Sequence, residues 1–176
     1  KIIEIHKFSP KGILKNMKLG FDPSLFTKKN INFNFGKSLE LIPIKNNLVD
    51  LIHKNKKPLR KPFYSLNDKF VGESHISKIK KILKILKSKK ADHLFISSPE
   101  NVAWLMNIRG HDNPNSPIPN CRLIINSNKK IFLIAEIEAV TKVIKEKKFK
   151  KNQIINPHKF GELITKLKAN KFIIDD

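Results

Sequence analysis

From Ser74 onward, apolar residues recur at helical spacing: Ile76, Ile79, Ile82, Leu83 and Leu86 lie at i, i+3, i+6, i+7 and i+10, and Lys fills much of the rest. That pattern predicts an amphipathic helix over 75–90 with its lysines on a solvated face. HLFISS is short and apolar, which predicts a strand at 92–97. PENVAWLMNI predicts a short helix with Pro99 in its first turn, where proline costs no hydrogen bond. CRLIINSNKKIFLIA predicts two strands, 121–126 and 130–135, joined as a hairpin at a Ser-Asn turn. EIEAVTKVIKEKK places acids first and lysines last, matching a helix dipole, and predicts a helix over 136–148. A strand at 152–156, a helix at 157–169 and a strand at 171–175 complete the order α-β-α-β-β-α-β-α-β. Such an order predicts an α/β fold with a mixed β-sheet flanked by helices.

The first third of the chain is less regular. KIIEIH is β-prone, KGILKNM suits a short helical piece, and KLGFD suits a strand. Pro23 and Ser24 suit a helix start, whereas NINFNFG carries no clear period. KSLELIPI predicts a strand stopped near Pro43, and NNLVDLIHK a helix capped by Asn46 or Asn47. After it, KNKKPLRKPFYSLNDKFVGES is Lys/Arg-rich, proline-bearing and aperiodic. It is the best linker candidate, over about 54–73, with a domain boundary near 45–65. Lys1 in place of Met, and a last segment FIIDD where a strand is ending, read as the cut ends of a longer protein.

Composition changes this picture little. With 40% hydrophobic residues, 176 residues can bury a core. The net charge of +21 raises nucleic acid as a partner, but the charge is nearly all Lys, with only Arg60, Arg109 and Arg122. Bidentate reading of phosphates and base edges favours Arg. The accompanying Ile and Asn fit a genome biased toward A and T, and a polyanion-binding Lys surface is the alternative. No apolar run reaches the roughly 20 residues of a membrane span, and no signal peptide is evident. A single Cys121 forms no internal disulfide and fits the cytoplasm.

The candidate chemistry is sparse. There is no C-x-x-C, H-E-x-x-H, calcium loop or phosphate-cradling glycine loop. The histidines are scattered, at 6, 53, 75, 93, 111 and 158. His111 and Asp112 are adjacent, but neighbours seldom point at one ion, so a turn is the simpler reading. Asp175 and Asp176 fall at a strand end. Cys121, flanked by apolar residues, reads as buried and inert. Trp104 reads as a core residue of its helix. Catalytic and metal-ligating residues: none.

Three stretches carry a resemblance. ENVAWLMNIRGHDNPNSPIPNCRLII resembles the E-[IV]-A-W-L-[FM]-N-[IL]-R-G-x-D motif of the three-domain Xaa-Pro aminopeptidases (aminopeptidase P). Glu100, Ala103, Trp104, Leu105, Asn107, Arg109, Gly110, Asp112 and Pro117 fall in place, whereas His111 stands where Ser is usual and Pro119 replaces an aromatic region. LIPIKNNLVDLIHKNKKP and KLGFDPSLFT resemble two further landmarks, with His53 where Trp is common.

The resemblance implies a creatinase N-terminal-like domain at residues 46–176, preceded at 1–45 by the tail of a similar domain, with the metallopeptidase domain absent. It implies a parent that releases the N-terminal residue before a penultimate proline. A dinuclear manganese or zinc centre would sit in the missing catalytic domain, and this fragment alone would be inactive. Its expected partners are that catalytic domain and, through it, peptides with a penultimate Pro. The resemblance leaves room for a homodimer, and neither membrane nor nucleic acid is an expected partner. Arg109, Gly110 and Asp112 are the candidate interdomain or substrate-access contacts. Arg109 could serve the local turn or a neighbouring domain, and Gly110 a positive φ or a close approach. A catalytically dead homologue is the remaining alternative.

Overall fold

A computed structural model describes residues 17–35, 39–52, 61–169 and 171–175. The chain divides into two compact units, residues 1–58 and 59–176. The expected strand at KIIEIH lies outside the described residues.

In the first unit, β1 (Lys18–Phe21) and β2 (Glu40–Pro43) pair in parallel, with α1 (Lys28–Phe35) between them in sequence. Pro23 and Ser24 form a turn ahead of that helix rather than its start. Asp22 closes the turn, its Oδ1 accepting from the Ser24 backbone N–H at 2.8 Å and the Ser24 hydroxyl at 2.6 Å. The helix instead runs through the Asn/Phe-rich stretch and buries Ile31. In α2 (Leu48–Ile52) the cap is Asn47, whose Oδ1 accepts from the Val49 N–H at 2.9 Å.

In the second unit the strands β4 (His93–Ile96), β6 (Arg122–Asn126), β7 (Ile131–Ile134), β8 (Ile154–Ile155) and β9 (Phe172–Ile174) form one sheet. Its order is β8-β7-β6-β4-β9. β6 is antiparallel to both β4 and β7, while β8 joins β7 and β9 joins β4 in parallel. The sheet is therefore mixed, as expected. A second pair, β3 (Tyr64–Ser65) with β5 (Ile108–Arg109), is antiparallel and short.

Alternation along the strands gives the sheet two unequal faces. Leu94 opposite Ile125, and Ile96 opposite Leu123, share the face that forms the main core. Leu86 from α4 (His75–Ser88), Val102, Leu105 and Met106 from α5 (Pro99–Met106), and Val143 from α6 (Thr141–Lys145) pack in that core. On the other face Phe95 stacks on Phe160 of α7 (Phe160–Lys166), with ring centroids 5.2 Å apart. Ile124 and Ile134 are buried, yet Ile174 at the end of β9 is exposed.

Four expectations need correction. The linker does not extend to 73: Phe63 is fully buried, Tyr64–Ser65 pair with β5, and α3 (Asp68–Val71) follows, capped by Asn67. A buried aromatic anchors what composition alone marks as linker. The helix expected over 136–148 narrows to Thr141–Lys145, because 136–140 are consumed in turns closed by Ala139 N–H to Glu136 O and Val140 N–H to Ile137 O. The helix expected over 157–169 opens as a 3-10 turn, Pro157–Lys159, capped by Asn156, and ends at an extended Leu167. Finally, Lys78 is not on a solvated face but is buried.

Candidate functional site

The candidate residues lie around α5 and the loop behind it. The N-terminal end of α5 has Ser98 at the cap position, but that side chain makes no cap bond. Asp175, just past β9, supplies the acceptors instead. Its Oδ1 accepts from the Ser97 N–H at 2.7 Å and the Ser97 hydroxyl at 3.0 Å, and its Oδ2 from the Ser98 N–H at 3.2 Å and Asn101 Nδ2 at 3.3 Å. Burial pushes the Asp175 carboxyl up, but the bonds from Ser97, Ser98 and Asn101 outweigh it and hold the pKa below the usual aspartate value. A carboxylate at a helix N-terminus also meets the positive end of the dipole.

The C-terminal end is held by cations. Asn107 sits in the left-handed conformation, φ 52° and ψ 45°, and stops the helix. The Lys78 ammonium donates to Trp104 O at 2.7 Å and Asn107 Oδ1 at 2.8 Å, and lies 4.0 Å from the centroid of the Trp104 ring. Asn107 Nδ2 in turn donates to Glu73 O at 2.9 Å. Arg109 Nη1 donates to Ala103 O at 3.2 Å and Ile108 O at 2.8 Å. Ala103 O and Trp104 O, which already accept the Asn107 backbone N–H at the helix end, thus also receive charged donors. Burial lowers the Lys78 pKa from its ordinary value, Glu73 pulls it back up, and Arg109 adds to the lowering.

Trp104 is not a core residue. It is 60% exposed, while Val102, Ala103, Leu105 and Met106 are buried. The reason is angular: at about 100° per residue, Trp104 lies about 200° around from Val102, opposite the face that Val102 and Met106 share. Its ring is exposed but not loose, because Lys78 covers part of it.

Behind the helix, the loop closes on itself. A Cβ on Gly110 would come 2.6 Å from Pro119 Cα and 2.9 Å from Pro119 Cβ, so the glycine serves close approach; its φ is not in the left-handed region. The Gly110 N–H donates to Pro117 O at 3.0 Å. His111 lies beside Tyr64, ring centroids 5.3 Å apart, and Asp112 Oδ2 accepts from the Asn120 N–H at 2.7 Å. Arg109 and Asp112 are therefore not a pair: Arg109 turns back to the helix, and Asp112 ties the loop. His111, Asp112 and residues 113–115 are exposed along this loop.

Elsewhere, Cys121 is buried, and burial pushes its thiol up to about 12, so it is unreactive. His93 is buried, stacked on Phe172 at 4.7 Å and hydrogen-bonded through Nε2 to Asn126 Nδ2 at 2.8 Å. Among the described residues, no three His, Cys, Asp or Glu side chains come together to hold a metal. No helix of the described residues is long and apolar enough to cross a membrane. Lys78 and Asp175 are the residues that sequence reasoning missed. Their partners lie 26 to 29 and 74 to 78 positions away, beyond any local motif.

The creatinase/prolidase N-terminal domain family matches residues 54–176. The probable Xaa-Pro aminopeptidase P of Coprinopsis cinerea is 28% identical over 127 residues, covering 69% of this chain and 20% of that protein. The one from Fusarium vanettenii is 36% identical over 107 residues, covering 57% of this chain and 17% of its own length. The chain thus spans about a fifth of the curated relatives it matches. A crystal structure of X-prolyl aminopeptidase from Caenorhabditis elegans, described as a cytosolic enzyme with a di-nuclear active site, shares the fold. Its TM-score is 0.74 at 24% identity, over 93% of this chain and 27% of that one.

Proposed function

Since the chain belongs to the creatinase/prolidase N-terminal domain family, we propose that it is a non-catalytic N-terminal region of an Xaa-Pro aminopeptidase. The parent enzyme removes the residue ahead of a penultimate proline, in the cytoplasm. A dinuclear manganese or zinc centre in its catalytic domain would supply Lewis-acid chemistry there. The described residues of this chain do not fit such a centre, so none of the metal chemistry runs through them.

The chain's own part is positioning. The observation that carries this reading is that α5 is charge-complemented at both ends while Trp104 faces outward. Lys78, Arg109 and Asp175 fix the helix, and Gly110 and Asp112 fix the loop behind it. The exposed ring and the loop are then a rigid surface against which a catalytic domain packs, narrowing access so that short peptides with a free amino end fit. Rigid parts lose little entropy on docking.

The test uses a longer polypeptide carrying this region together with a metallopeptidase domain. Trp104→Ala and Asp112→Ala there should lower kcat/KM for a peptide with penultimate proline while the thermal midpoint of this region stays near the parent value. Loss of activity only in step with loss of folding would overturn the docking role. Absence of proline-directed release by the parent polypeptide would overturn the assignment itself.

A further inference from the structure

A second site lies away from the α5 loop, between α4 and the β6–β7 hairpin. Here a cavity of about 270 Å³ opens beside the first turns of α4. Ile79, Leu83, Met106, Ile131 and Phe149 line it with apolar surface, and Met106 and Phe149 are almost fully buried. Four basic residues also line it, His75, Lys80, Lys129 and Lys148, and no acidic residue does. Lys80 and Lys129 are exposed, whereas His75 and Lys148 are half-buried.

The inner two basic groups face each other. Lys148 Nζ and His75 Nδ1 are 3.1 Å apart, and this is the one hydrogen bond of the ammonium among the described residues. An ammonium has three protons to donate, so two are left for another acceptor. Asp68 and Glu146 are near enough for Lys148 to feel their charge, but neither lines the cavity. Burial lowers the pKa of both His75 and Lys148; Lys148 and Lys78 lower His75 further, while Asp68 and, for Lys148, Glu146 oppose the burial. An anion in the cavity would relieve that cost.

We propose that this cavity binds a small aliphatic carboxylate of the fatty-acid kind, its chain against Ile79, Leu83 and Phe149 and its carboxylate against Lys148 and His75. The volume falls just below the roughly 300–1,000 Å³ of sites for drug-sized ligands, so the ligand is small. The apolar floor rejects a bare phosphate or sulfate, and the uniformly basic rim rejects a neutral or cationic amphiphile. A nucleic acid finds neither Arg nor an exposed aromatic ring here to stack on. The site is independent of the aminopeptidase reading.

Octanoate is the probe and octanol its uncharged control, titrated into the full 176-residue chain by isothermal calorimetry and by backbone amide shifts. A charge-assisted seat predicts that octanoate binds at least about tenfold more tightly than octanol. Shift changes should cluster at residues 75–83, 129–131 and 148–149. Lys148→Met keeps the apolar stem and should remove the preference for octanoate. Lys129→Met, at an exposed position, should weaken octanoate severalfold with folding intact, and it tests the charge requirement should Lys148→Met not fold. Equal binding of octanoate and octanol, shifts scattered over the lysine surface, or an octanoate affinity unchanged by both variants would overturn the proposal.

Discussion

The two faces of α5 do different work. Val102, Leu105 and Met106 are buried against the sheet, and any loss there is a loss of core. On the opposite face Trp104 is the largest side chain of the helix and is left mostly in water. A fold that needed the ring would have buried it. The helix ends then show how the outer face is kept in place: Asp175 holds the first turn, and Lys78 and Arg109 hold the last. Stability lives on the inner face, and the outer one carries the docking role we propose.

Breaking the inner face should have the largest effect. Leu105→Ala removes a fully packed side chain and should destabilise the chain by about 2–5 kcal/mol, read from chemical denaturation. A cost below about 1 kcal/mol would mean that the sheet does not depend on this helix. Next comes Lys78→Met. Methionine keeps the apolar stem but leaves Asn107 Oδ1 without its donor and Trp104 O with only the Asn107 N–H at 3.4 Å, a cost of about 1–3 kcal/mol. The variant should also shift Trp104 fluorescence, because the cation over the ring is gone.

Asp175→Asn should cost about 1 kcal/mol, in the range of a lost helix cap. Its signature is pH dependence. The folded pKa is held below the ordinary aspartate value, so the contribution is present above that value and is lost as pH falls through the folded pKa. The parent chain should therefore lose stability in acid faster than Asp175→Asn does. Equal acid slopes would show that the carboxylate is not the cap. Trp104→Ala should be the mildest, below about 1 kcal/mol, chiefly the loss of the cation–π contact between its exposed ring and the Lys78 ammonium. Arg109→Ala, which removes two bonds to backbone carbonyls, should cost more than Trp104→Ala. That order reverses what the apolar look of the segment suggests.

Much of the second unit was legible. The spacing of Ile79, Ile82, Leu83 and Leu86 marks α4, and five short apolar runs mark the five strands of the sheet. Periodicity reveals these because the same residues that form the element also fill the core. The sidedness of α5 was harder to see, since its outer side is marked only by Glu100 and Asn101, which lie four and three residues before Trp104. Lys78 was hidden among lysines of the same helix, and only the third dimension separates the buried one from its neighbours. Turns were hidden for a related reason. Lys90, Lys129 and Lys147 adopt positive φ, where Gly or Asn is usual and another residue costs about 1–2 kcal/mol. Lysine at such places removes the punctuation that turn reading depends on.

On the proposed reading, this region supports a peptidase domain without itself cleaving peptides. The most direct measurement is release of the N-terminal residue from a peptide with penultimate proline, with manganese or zinc added. It is made on the 176-residue chain and on a longer polypeptide that carries this region with a metallopeptidase domain. The expected result is no turnover by the chain alone and metal-dependent, proline-selective turnover by the longer polypeptide. Metal-dependent cleavage by the chain alone would contradict it.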